Sequence, residues 1–201
     1  MRIALAFVLL TLAGCSRGSP PRVADGDIVF HTSRSAQSAA IQRATNSPYS
    51  HMGVVLFSDG KPFVFEAVQP VKWTPLDNWI ARGEGGHYVV KRLATSPRGL
   101  SKADADKLRR AAKPFEGRAY DLTFEWNDQR QYCSEIVWKM YDRALGVQLG
   151  ELQKLREFDL DDPLVQAKMR ERYGDKVPLD EPVISPAAMF DSPLLMTVGS
   201  M

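Results

Sequence analysis

Two apolar runs, Met52 to Phe57 and Pro62 to Val68, are separated only by Ser58-Asp59-Gly60-Lys61, and this pairing limits the possible folds more than any other feature of the chain. Asp-Gly supplies the positive φ values that a two-residue hairpin turn demands, so the runs are expected to fold back as neighbouring antiparallel strands. With Asp59-Gly60 at the turn, Ser58 faces Lys61 and, further out, Gly53 faces Glu66. His51 lies two residues from Gly53 and therefore on the same face, which makes Glu66 its diagonal neighbour at roughly 7 Å between backbones. Gly53 leaves the intervening space open, and a Glu side chain can cross it. A three-residue loop would turn Glu66 to the opposite face, whereas a four-residue loop would keep it in place. An imidazole with one nitrogen on a carboxylate is held in one tautomer and stabilised when charged, as a general base requires. The same pattern also suits an ordinary strand histidine beside a solvated or ion-paired glutamate.

Around this hairpin the pattern alternates between strands and helices. Ile28-Val29-Phe30 follows Asp25-Gly26-Asp27 as a short strand, and Ser35 to Thr45 carries Ala36, Ala39, Ala40, Ile41 and Ala44 at helical spacing. His87 to Leu93 reads as another strand, and Lys102 to Lys113 as a polar helix stopped by Pro114. From Tyr132 to Leu145, the positions Ile136, Val137, Met140, Tyr141, Ala144 and Leu145 mark one face of a buried helix. Asp128 and Gln131 could form a capping box that starts this helix earlier. Residues 151–182 are highly charged and read as a surface excursion with a helical piece around Leu164 to Tyr173. The mixture indicates an α+β domain over 25–201.

The N-terminus, MRIALAFVLLTLAGC, places Arg2 before an apolar stretch too short to span a membrane as a mature helix, the form of an export signal. Leu12-Ala13-Gly14-Cys15 resembles a bacterial lipobox, which implies cleavage after residue 14 and acylation of Cys15. A plain signal peptide that happens to contain a cysteine is the alternative. Residues 15–24, rich in Pro, Gly and Ser, read as a lipidated tether. Ser16 resembles the outer-membrane sorting pattern, so the expected location is the bacterial envelope, lipid-anchored and facing the periplasm. The chain has 26 basic residues; loss of Arg2 leaves 25 against 24 acidic ones. Near-neutrality and the lack of a basic stripe argue against nucleic acid as a partner and against electrostatic membrane docking.

If Cys15 carries lipid, Cys133 is the one remaining thiol, in a compartment where thiols tend to be oxidised. It lies at the front of the buried helix, where unpaired N–H groups and the helix dipole favour an anion. It also precedes Ile136 and Val137 by three and four residues, the place of a small buried apolar residue. On pattern alone the two roles stand level. His31 and His87, each at a strand edge, are fallback bases. A zinc site of His51, Glu66 and Cys133 is chemically conceivable but lacks the closely spaced ligand pairs of common zinc motifs, so no metal is expected.

Five segments carry a family resemblance: GDIVF at Gly26 to Phe30, SPYSHMGVV at Ser47 to Val55, VFEA at Val64 to Ala67, YCSEIVWKMY at Tyr132 to Tyr141, and VISPAAMFDSPLL at Val183 to Leu195. Together they resemble the papain-like NlpC superfamily of cysteine hydrolases, in its circularly permuted YiiX-type branch, which includes relatives of lecithin retinol acyltransferase. The resemblance implies a small curved antiparallel sheet packed on the helix that bears the nucleophile. It also implies Cys133 as nucleophile, His51 as base, Glu66 as the orienting third residue, and the Cys133 N–H in an oxyanion hole. Asp77 and Glu84 are the other carboxylates near enough in sequence to take the third place. Tyr49, just before the base, becomes a substrate-binding or site-shaping residue.

The expected function is a thiol-dependent hydrolase or acyltransferase, acting without cofactor on an amide or ester of a cell-wall peptide or lipid acyl group. Its rival is a non-catalytic envelope lipoprotein that uses the same fold as a binding module. Oligomeric state is not encoded in any of these features. Cys15→Ser should release the protein from the membrane fraction or leave its precursor unprocessed; unchanged fractionation with normal cleavage would refute the lipid anchor.

Overall fold

The Asp59-Gly60 turn has positive φ at both residues, 48° and 74°, and joins β2 (His51–Ser58) to β3 (Lys61–Glu66). Ser58 pairs with Lys61 and Val54 with Phe65, the register a two-residue turn dictates. This is a computed structural model, and it describes residues 20–201. The expected signal segment 1–14, Cys15 and the first half of the 15–24 tether lie outside the described residues.

Around the hairpin the elements run β1 (Ile28–His31), α1 (Ser38–Thr45), β2, β3, β4 (Lys72–Pro75), α2 (Leu76–Ala81), β5 (Val89–Leu93) and α3 (Lys102–Ala112). They continue with β6 (Ala119–Tyr120), β7 (Arg130–Gln131), α4 (Cys133–Leu145), β8 (Gln153–Lys154), α5 (Pro163–Tyr173), β9 (Pro182–Val183), α6 (Pro186–Phe190) and β10 (Leu195–Ser200). The main sheet is antiparallel throughout, in the order β10-β5-β1-β2-β3-β4. Two small ladders, β6 with β7 and β8 with β9, lie outside it.

Strand alternation divides the apolar residues between two layers. Ile28, Phe30, Met52, Val54, Leu56 and Phe65 belong to the main core with Leu108 of α3 and Ile136, Val137 and Met140 of α4. Val29, Val55, Val64 and Val90 form a second layer with Leu76 and Trp79 of α2. His31, His51 and Glu66 have the parity of this second layer and begin or end their strands. The sheet end therefore carries polar chemistry while its middle is apolar on both faces.

Helix α4 begins at Cys133, not earlier. The alternative start, a capping box of Asp128 and Gln131, does not form. Tyr132 is the N-cap residue, and its N–H donates to the Glu135 carboxylate at 3.3 Å. Asp128 instead accepts from Arg143 at 2.8 Å and Lys139 at 3.0 Å. A Lys and an Arg facing Asp128 from within the helix outcompete a solvent-exposed cap, and Cys133 is left at the tip.

Gly53 is needed where β2 and β3 approach each other. A Cβ built there would lie 2.7 Å from the Phe65 carbonyl oxygen and 3.3 Å from the Glu66 Cβ. Gly53→Ala should therefore destabilise the fold by about 1–3 kcal/mol, the usual cost of overpacking. Chemical denaturation checks this, and an unchanged midpoint would contradict it.

Candidate active site

Glu66 is fully buried at the end of β3 and is held by donors from three elements. His51 Nε2 lies 2.6 Å from one carboxylate oxygen, Thr74 Oγ1 donates to the other at 2.6 Å, and Arg82 also donates to that second oxygen. Thr74 reaches it because β4 pairs Glu66 with Lys72 and Val64 with Thr74, which puts Thr74 diagonally across on the same face. Arg82 caps the C-terminal end of α2. Burial pushes the Glu66 carboxyl up, but His51, Thr74 and Arg82 outweigh it and hold the group below its ordinary value. Glu66 is thus an anion inside the protein, and the His51 ring faces it.

With Nε2 committed to Glu66, Nδ1 is the His51 nitrogen left for Cys133 at the tip of α4. Burial alone would push His51 down. The adjacent Cys133 sulfur and Glu66 carboxylate outweigh it and carry the ring from 6.5 up to about 9. The structure brings His51, Glu66 and Cys133 together at the end of the sheet. With Nε2 spent on Glu66, that nitrogen is not open to an ion that Glu66 and Cys133 would share. Among the described residues no group of three or more His, Cys, Asp or Glu side chains is arranged to hold a metal.

The fallback bases are placed otherwise. His31 pairs with His51 across β1 and β2, and their ring centroids are 5.3 Å apart. It stacks on Trp79 at 3.9 Å, and its Nδ1 is buried without a hydrogen-bond partner. Burial first, then the charges of His51 and Arg82, push it down to about 3. His87 is exposed two residues before β5, with Nδ1 3.2 Å from the Met201 carbonyl oxygen. Asp77 and Glu84 are exposed, and neither joins the hydrogen bonds of His51. Tyr49 does not line the site, contrary to expectation. Strand alternation begins only at His51, and the Tyr49 ring stacks on Phe190 at 4.2 Å and meets Phe30 edge-on at 6.0 Å.

Sequence reasoning missed Thr74, Arg82 and Tyr120. Tyr120 is half-buried on β6, whose parallel pairing with Gln131 sets it beside the approach to Cys133. Its N–H donates to Gln69 Oε1 at 2.7 Å, and its hydroxyl accepts from Gln37 Nε2 at 2.6 Å. Burial, then the charge of Cys133, push the phenol up, so it keeps its proton. Two cavities share Gln37, Lys168 and Arg172 in their walls. One, about 80 Å³ and apolar, is lined by Cys133 with Ala40 and Ile41 of α1 and Leu155, Val165 and Met169 of the 151–182 segment. The other is an open cleft of about 960 Å³ with both polar and apolar walls, bordered by His51, Tyr120 and Arg82.

The two neighbouring imidazoles should titrate far apart. In side-chain nitrogen NMR, His51 should remain charged up to about pH 9 while His31 stays neutral down to about pH 3. The His51 contribution to stability is complete below 6.5 and lost as pH rises through about 9. Glu66→Gln removes one of the charges raising His51 and should lower its midpoint. A wild-type His51 midpoint near the ordinary 6.5 would contradict this electrostatic account.

Residues 22–199 match the family described as permuted papain-like amidase enzyme, YaeF/YiiX, C92 family. The chain is 57% identical over 174 residues to the uncharacterized protein YiiX of Escherichia coli strain K12, spanning 87% of this chain and 85% of that protein. It also superposes on the crystal structure of a protein described as metalloprotein yiiX, from Escherichia coli O157:H7, with a TM-score of 0.85 and 56% identity, covering 89% of this chain and 97% of that one. The family match over nearly the whole described chain and the identity to YiiX agree: this chain belongs to the permuted papain-like amidases of the YaeF/YiiX type.

Proposed function

We propose that this protein is a thiol-dependent amidase or acyltransferase in which Cys133 attacks a carbonyl whose acyl part is apolar. One observation carries the reading: the Glu66–His51 pair converges on a cysteine that also walls an apolar pocket. The Cys133 proton rests on His51 as an imidazolium, and the paired thiolate adds to the carbonyl carbon. Charge develops on the carbonyl oxygen within reach of two donors. The Cys133 N–H, at the first helical position, has no intrahelical acceptor, and the Tyr120 O–H retains its proton. The imidazolium then protonates the leaving amine or alcohol as the bond to carbon breaks. In the second half-reaction, His51 activates water or another acceptor against the thioester. Glu66 fixes the tautomer and stabilises the imidazolium without making or breaking bonds.

The solved relative from Escherichia coli O157:H7 is described as a metalloprotein. In this chain both Glu66 oxygens are already engaged by His51, Thr74 and Arg82, so the donor set does not fit a metal and no step is routed through one. If the lipobox is used, Cys15 anchors the enzyme at the outer membrane facing the periplasm. Cell-wall peptide amides and lipid acyl groups then lie within its reach. The apolar wall around Cys133 favours the acyl group of a lipid or lipopeptide.

p-Nitrophenyl octanoate should acylate Cys133, detected as an octanoyl adduct on the peptide that contains it. It should react at least about tenfold faster than the acetate, since each buried methylene is worth about 0.8 kcal/mol. Cys133→Ala should abolish the reaction, and Glu66→Gln should leave a residue of it. Equal rates for Cys133→Ala and wild type would refute the mechanism and favour a binding module.

A further inference from the structure

The 151–182 segment has no role in the chemistry described so far, yet it places Arg172 beside the site. Arg172, near the end of α5, donates from one terminal nitrogen to Gln37 Oε1 at 2.7 Å, while its guanidinium lies over the Phe124 ring at 4.9 Å. Gln37, just before α1, donates from Nε2 to the Tyr120 hydroxyl at 2.6 Å. A guanidinium has donors only, so it must meet the amide oxygen, and this allows a single orientation of the Gln37 amide. Its NH₂ then faces Tyr120, whose oxygen accepts. A phenol that accepts from one side still has its own hydrogen to give elsewhere.

We propose that Arg172 and Gln37 are positioning residues that fix the direction of the Tyr120 hydroxyl, so that its proton points to the carbonyl oxygen attacked by Cys133. This rests on the amidase reading above. The charged excursion thereby acts on the oxyanion without touching substrate. The burial of Tyr120 and its nearness to Cys133, which keep the phenol protonated, support the arrangement. The Tyr120 backbone is fixed independently through Gln69, at 2.7 Å, so the relay governs the hydroxyl hydrogen and not the ring position.

Gln37→Glu tests this with little change of shape. The new carboxylate still accepts from Arg172, so a purely structural role is preserved or strengthened. Its second oxygen, however, needs a donor, and Tyr120 must turn its proton toward it. The phenol then presents lone pairs to the oxyanion. Two reactions of Cys133 separate the effects. In alkylation by iodoacetamide the sulfur displaces iodide and no oxyanion forms. In acylation by p-nitrophenyl octanoate, sulfur bonds to the carbonyl carbon, the π pair moves onto oxygen, and collapse expels p-nitrophenolate.

Gln37→Glu and Tyr120→Phe should each slow acylation by about 10²-fold, the usual loss for one oxyanion donor, with alkylation unchanged. The double variant should lose no more than Tyr120→Phe alone. Wild-type acylation by Gln37→Glu, or a parallel loss of alkylation, would overturn the proposal. So would additive losses in the double variant. If wild type alkylates at Cys133 but does not acylate there, the amidase reading itself fails. The amide orientation is then read separately by NMR: Gln37 side-chain amide protons should show contacts to the Tyr120 ring, and their absence would overturn the relay.

Discussion

A buried carboxylate without donors would not stay ionised, and the site depends on how Glu66 escapes that fate. Its two oxygens receive His51 from β2, Thr74 from β4 and Arg82 from the end of α2. Each donor belongs to a different element, so the charge is stable only when hairpin, third strand and helix are all in register. Removing one partner of such a buried pair typically costs about 3–5 kcal/mol, because the other charge is left uncompensated. The same network that holds the carboxylate ionised also fixes the His51 ring. Local order at the sheet end and the protonation state of the imidazole therefore have one origin.

That origin also explains why two adjacent histidines behave oppositely. His31 and His51 are direct cross-strand partners with rings 5.3 Å apart, and both are buried. Only His51 has a carboxylate in hydrogen-bonding reach. His31 receives a Trp79 face and an unsatisfied Nδ1 instead, and it feels the positive charges of His51 and Arg82. A neutral His31 adds no competing positive charge next to the His51 ring, so the field at His51 is set by Glu66 on one side and Cys133 on the other.

The hairpin and its diagonal pair were legible because they depend on local rules. Asp-Gly fixes the turn, period two fixes the face, and Gly53 opens the gap. The buried helix, with Cys133 at its front, was legible from its apolar stripe, while an earlier start stayed open. Choosing between Asp128 and Tyr132 as cap requires knowing that Arg143 and Lys139 would claim Asp128. Tyr49 was assigned from the resemblance, by its place just before the base, and its ring packs on Phe190 and Phe30 instead. Thr74, Arg82 and Tyr120 carry no local signal. Each acts through a partner between 8 and 83 residues away in sequence, and only the fold brings them together.

The segment 151–182 was opaque for a more particular reason. Val165, Lys168, Met169 and Arg172 fall at i, i+3, i+4 and i+7 and share one face of α5, yet two are charged, so no apolar stripe marks the helix as packed. That mixed face makes two sets of contacts at once. Val165 and Met169 wall the apolar pocket beside Cys133, while Arg172 meets Gln37 one turn further on. In the proposed mechanism, an acyl group in the pocket would lie against the same helix face that orients the Gln37 amide. On that proposal, substrate packing and the direction of the Tyr120 hydroxyl are carried by one element.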